Sequence, residues 1–121
     1  MAVLRIVANI AAERLEEADA FYGELLGLSL AMDLGFIVTF ASDAAMSPQI
    51  SIMREGGSGT PVPDLSVEVD DLDAVYRRAL AQGLDIIYGP CREPWGVRRF
   101  FVRDPFGRLV NILSHAADSS Q

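Results

Sequence analysis

The 121 residues include one cysteine, Cys91, and one histidine, His115, so nucleophilic or imidazole chemistry has few places to start. No basic group is tied to Cys91 by motif, and it reads as a small hydrophobe in the loop after Gly89-Pro90. His115 falls past the last strand-like run. A different chemistry is offered between Pro94 and Leu113, where Asp104-Pro105-Phe106-Gly107 spells a tight turn. Pro105 presets φ for the first central position, Asp104 accepts from turn amides, and Gly107 takes the left-handed conformation that follows. A type I turn followed by a left-handed glycine closes a hairpin with a bulge. That geometry sets Asp104 opposite Arg108, Phe101 opposite Asn111, and Arg99 opposite Leu113. Phe101 and Asn111 then share one sheet face, while Val102, Val110 and Ile112 take the other. A carboxamide beside an aromatic ring, backed by an aliphatic face, is the feature to explain.

The elements that must position this pair repeat. Val3 to Ile10 alternates, with Leu4, Ile6, Ala8 and Ile10 on one face and Arg5, Val7 and Asn9 on the other. Leu15, Ala18, Tyr22, Leu25 and Leu26 have helical spacing, predicting a helix from about Glu13 to Leu26 ended by Gly27. Leu28 to Met32, Phe36 to Ala41 and Gln49 to Met53 read as strands split by Gly35 and by Ser42-Asp43. The Gly- and Pro-rich stretch Arg54 to Pro63 is a linker. The pattern then restarts: Leu65, Val67 and Val69 alternate with Asp64, Ser66 and Glu68. Asp70 can cap a helix striped by Leu72, Val75, Tyr76, Ala79 and Leu80, with Gly83 after it. Ile86 to Tyr88 and the hairpin supply the last strands. The organisation is a duplicated β-α-β-β-β unit: module one at 1–54, a linker at 55–63, module two at 64–115, and a fraying tail at 116–121.

Length predicts one domain with a real core. A net charge of −7 argues against nucleic acid as a partner, since phosphate binding needs a basic face. No apolar run approaches the roughly 20 residues of a membrane span, and no signal-peptide pattern opens the chain. The single cysteine excludes an internal disulfide and, with the rest, predicts a cytoplasmic protein. Half the residues are hydrophobic, a surplus that a partner subunit could cover.

Phe21-Tyr22 before Leu25-Leu26-Gly27, Val69-Asp70-Asp71-Leu72, and Asp104-Pro105-Phe106-Gly107, in this order within a tandem β-α-β-β-β pair, resemble the vicinal oxygen chelate superfamily. That group includes glyoxalase I, fosfomycin resistance proteins, extradiol dioxygenases and bleomycin resistance proteins. The resemblance spans nearly the whole chain. It implies an α+β fold of tandem βαβββ modules forming an incomplete curved-sheet barrel around a cavity, with helices outside. Leu4, Ile6, Leu65 and Val67 are then expected against helices, and Val7, Asn9, Asp64 and Ser66 toward the cavity. Enzymes of the family hold a metal on first- and last-strand positions of each module, which match Val7, Ser51, Asp64 and Asn111. Valine offers no donor, Ser and Asn are weak neutral ligands, and only Asp64 is anionic. No metal and no cofactor are therefore expected.

By the same resemblance, the reading is a homodimer of the bleomycin resistance type that binds a small, partly aromatic molecule. Pro94-Trp95-Gly96 before an Arg-bearing strand is common in that branch. Trp95 would stack on the ligand or plug the barrel end, and Phe101 would line the wall. Val7, Asn9, Ser51, Asp64, Ser66 and Asn111 complete the expected site. The competing reading is a metal-dependent lyase, isomerase or dioxygenase of the glyoxalase type. A metal-free enzyme with a buried Asp64 as general base is a variant of it. A pure interaction module explains less, because a solid core needs no inward set of polar residues. Arg5 and Glu68 share the inward parity and are expected to pair with each other or with water.

Overall fold

The structure, a computed structural model, describes residues 2–42 and 49–115, so the tail and Asp43 lie outside the described residues. The chain divides into two compact units, Val7–Val62 and a second formed by residues 2–6 with 63–115. It is mostly strand, with few helices. The strands are β1 (Val3–Ala11), β2 (Ser29–Asp33), β3 (Ile37–Ala41), β4 (Gln49–Met53), β5 (Leu65–Val69), β6 (Ile86–Arg92), β7 (Val97–Arg103) and β8 (Leu109–His115). Among the described residues one α-helix, α1, spans Leu72–Ala81.

Both units repeat one pairing scheme, which is how the sequence duplication appears in space. In the Val7–Val62 unit, β1 runs parallel to β4 with Asn9 opposite Ser51. β4 is antiparallel to β3 with Ser51 opposite Thr39, and β3 pairs with the edge strand β2. In the second unit, β5 runs parallel to β8 with Ser66 opposite Asn111. β8 is antiparallel to β7, and β7 pairs with the edge strand β6. First and last strands of each unit are thus parallel neighbours, and the remaining strands are joined as antiparallel pairs.

The first helical stretch departs from the expected α-helix over Glu13 to Leu26. It is a 3₁₀ turn at Leu15–Glu17 followed by a π-helical segment, Asp19–Leu25. The ladder is widened: the Leu26 N–H reaches the Phe21 carbonyl and the Leu28 N–H reaches that of Tyr22. Gly23 weakens helix propensity here, and the Asp19 carboxylate fills the space where a larger residue's Cβ would stand. The wide turn sets Tyr22 on Phe40, with ring centroids 6.0 Å apart, over a core of Leu15, Phe40 and Ile52.

α1 is regular, capped by Asp71 rather than by Asp70: the Asp71 carboxylate accepts from the Ala74 N–H at 3.1 Å. Asp70 is occupied elsewhere, accepting from the Ala2 N–H at 2.7 Å, a bond that holds its carboxyl below the ordinary aspartate range. At the other end, the Leu84 N–H bonds to the Ala79 carbonyl and that of Gly83 to Leu80, closing the helix with the αL glycine the sequence supplies. Leu72 and Ala79 pack on Val69, Phe100, Val102 and Ile112. Arg98 clips the helix to β7 through Asp73 at 3.0 Å, which lowers the Asp73 pKa.

Leu4 and Ile6, expected against helices, are instead 59% and 60% exposed, and Leu65 is exposed as well. Ten residues of α1 reach about 15 Å, and that length is spent on β7 and β8. Val67 does pack against the α1 core.

The hairpin has the register that its turn dictates: Phe101 opposite Asn111, Arg99 opposite Leu113, Val102 opposite Val110. Asp104 Oδ1 accepts from the N–H groups of Phe106 and Arg108, both at 2.8 Å, and Gly107 sits at φ +83°. Asp104→Ala removes both bonds and should lower stability by about 2 kcal/mol. Urea unfolding checks this, and an unchanged midpoint would show that the carboxylate does not hold the turn.

Candidate functional site

The hairpin register gathers a row of side chains on one face of the second unit. Across β5, β8, β7 and β6 the opposed residues are Ser66, Asn111, Phe101 and Tyr88. Asn111 Nδ2 donates to Ser66 Oγ at 3.1 Å. The other end of that carboxamide, Oδ1, is buried and has no hydrogen-bond partner among the described residues. Phe101 is fully buried, with the Tyr88 ring 5.3 Å away.

The next row is charged. Arg99 lies opposite Leu113 on one side and Cys91 on the other, and is only 2% exposed. Its Nε donates to Glu93 Oε2 at 2.7 Å. The guanidinium carbon sits 4.8 Å from the Phe101 ring centre, 5.0 Å from that of Trp95 and 5.3 Å from that of Tyr88. Tyr88 Oη donates to the same Glu93 oxygen at 2.6 Å, and Cys91 Sγ lies 3.6 Å from it. A buried charge is tolerable only when paired and bonded, and here the partner carboxylate and three aromatic faces supply that. The backbone makes room: Gly89 at φ +77° runs so close to β7 that a Cβ would stand 2.5 Å from the Arg99 carbonyl oxygen. Beside this row, Glu68 takes Arg5 Nε and His115 Nδ1, each at 2.9 Å, so Arg5 and Glu68 do pair with each other.

Of the expected site residues, Ser66, Phe101 and Asn111 are therefore brought together. Trp95 is half-buried and belongs to Arg99, a partner that both expected roles left out. Asp64 is exposed rather than buried, and its Oδ2 accepts from the Leu109 N–H at 2.9 Å, so the burial needed for a general base is missing. In the Val7–Val62 unit, Val7 is buried, while Asn9 and Ser51 stand opposite each other and Ser51 Oγ is 2.7 Å from Thr39 Oγ1. An open depression of about 490 Å³ in that unit, over Leu15, Asp19, Asp33 and Arg54, contains none of them. Neither Tyr88 nor Glu93 carries a sequence signal that marks it for this cluster. Arg99 was within reach, since the register puts it on the Phe101 face.

A family model, the Glyoxalase/Bleomycin resistance protein/Dioxygenase superfamily, matches residues 4–112. The chain belongs to that superfamily. Its fold is shared by a superfamily member from Vibrio splendidus 12B01, with 16% identity and a TM-score of 0.64 over 94% of this chain and 99% of that one. Methylmalonyl-CoA epimerase from Mycobacterium tuberculosis matches with 20% identity and a TM-score of 0.65, covering 98% and 90%. A structure described as NAD-dependent benzaldehyde dehydrogenase from Legionella pneumophila matches with 16% identity and a TM-score of 0.72, covering 92% and 99%. No curated protein matches the chain. Identities this low speak for the fold alone.

The four positions that the resemblance marks for a metal do not suit one. Val7 has no donor, Ser51 is bonded to Thr39, Asp64 is tied to the Leu109 amide, and Asn111 presents one neutral oxygen. Divalent ions want several His, Cys or carboxylate donors, and among the described residues no three such side chains gather.

Glu93→Gln, which strips Arg99 of its buried counter-charge, should destabilise the protein by about 3–5 kcal/mol. The double variant Glu93→Gln with Arg99→Met should cost less than the sum of the two single changes. Additive losses in chemical unfolding would show that the pair is not coupled.

Proposed function

We propose that this superfamily member binds a small, partly aromatic molecule on the Ser66, Asn111 and Phe101 face, without the metal that its enzymes carry. The observation that supports this is the Asn111 carboxamide: where relatives hold a metal ligand, this chain buries a neutral amide with an uncommitted oxygen. Ser66 fixes its orientation, and the aromatic run of Phe101, Tyr88 and Trp95 on the same side favours a flat guest. Catalysis of the lyase, isomerase or dioxygenase kind is the competing function. The methylmalonyl-CoA epimerase among the similar structures shares the fold with this chain, and the donor set here opposes the metal-dependent form of such catalysis.

The molecule is proposed to work as a homodimer. Leu4 and Ile6 leave apolar surface on β1 that a second copy would cover, which agrees with the hydrophobic surplus of the composition.

Elemental analysis of the purified protein, combined with thermal unfolding in the presence of planar aromatic compounds and of divalent ions, tests the reading. Saturating aromatic ligand should raise the melting temperature by several degrees, since a ligand at about 100 times its Kd adds roughly 2.7 kcal/mol. The protein should contain no stoichiometric metal. A stoichiometric divalent ion, with stabilisation by ions and none by aromatics, would replace binding with metal-dependent catalysis.

A further inference from the structure

The orientation of one carboxamide bears on the chemistry of what would be bound. Asn111 is 7% exposed, and its two polar atoms have different fates. Nδ2 is spent on Ser66 Oγ at 3.1 Å, which pins the plane of the amide. Oδ1, on the far side of the amide carbon, has no partner among the described residues. A buried carbonyl oxygen left without a donor is costly, and native structures leave few of them unexplained. The strand pairing places Ser66 on one flank of Asn111 and Phe101 on the other.

We infer that Asn111 Oδ1 is the acceptor for an uncharged N–H or O–H donor carried on an aromatic ring, so that the ligand belongs to the class of phenols, anilines, indoles and aromatic amides. The inference rests on the binding function proposed above and narrows its ligand. The ring follows from the neighbours: Phe101 faces Asn111 across the hairpin, Tyr88 faces Phe101, and Trp95 lies on Arg99. The lack of negative charge follows from the acceptor, because a carboxylate would bring one oxygen lone pair against another. A net charge of −7 opposes anions further. An acceptor-only heterocycle fails for the same local reason. Charge on the ligand is not needed either, since Arg99 and Glu93 already satisfy each other in the adjacent row.

Matched pairs test this by titration calorimetry: 2-naphthol against 2-methoxynaphthalene, and indole against N-methylindole, with quinoline as an acceptor-only control. Wild-type protein should bind each donor about tenfold tighter than its methylated partner, as one net hydrogen bond implies, and quinoline should bind no better than the methylated compounds. Asn111→Leu, similar in shape, should erase the preference, whereas Asn111→Asp, which keeps an acceptor oxygen, should retain it. If the leucine variant does not fold, the aspartate variant and the Asn111 Cγ carbon shift of the wild type on adding 2-naphthol give the same reading. Equal affinity within each pair would overturn the inference, leave the proposed binding function standing, and mean that water serves the oxygen. Tight quinoline binding would also overturn it, by showing the amide turned the other way. Binding of none of the compounds would overturn the proposed function and this inference with it.

Discussion

Two hydrogen bonds from Asp104 to the amides of Phe106 and Arg108 decide more than the shape of a turn. A strand has a side-chain period of two, so a slip of one residue moves every group on β8 to the opposite face. Held by this turn and by the left-handed Gly107, β8 presents Asn111 and Leu113 on one side and Val110 and Ile112 to α1 on the other. β5 adds Ser66 and Glu68 to the first face through its parallel pairing. The binding face proposed here exists because of that register.

The same face shows how a small protein tolerates charge and amide groups where it also buries aromatic rings. Arg99 is enclosed, yet Glu93 and three aromatic faces meet its needs. Isolated, either charge would be strongly unfavourable, and together they fix one another and the Tyr88 hydroxyl. Asn111 follows the same rule at one end of its amide and breaks it at the other. Among the described residues, Asn111 Oδ1 is the buried side-chain polar atom left without a partner, which is why the proposed binding is placed there.

Much of this was legible in the sequence. Alternation and turn chemistry gave the duplicated strand order, the hairpin register, the closing of α1 by Gly83 and the pairing of Arg5 with Glu68. Other features were not, each for a physical reason. Periodicity showed an apolar face at Leu15, Ala18 and Tyr22 but not the widened ladder that packs it, because the ladder depends on Gly23, Asp19 and the distant Phe40. Alternation put Leu4 and Ile6 on one face without telling whether a helix would reach them. Glu93 was invisible because β6 is irregular between Ile86 and Cys91, which breaks the parity that would have aligned it with Arg99. Parity points Asp64 inward, but the Leu109 amide claims its carboxylate.

A nuclear Overhauser measurement on the Asn111 side-chain amide in isotopically labelled protein tests the hairpin register directly. Its N–H protons should lie close to the Ser66 Hβ protons, and the Asn111 backbone should lie close to that of Phe101 across the hairpin. Contacts placing Phe101 opposite Val110 or Ile112, or an Asn111 amide far from Ser66, would mean a different register, and the proposed binding face would not exist.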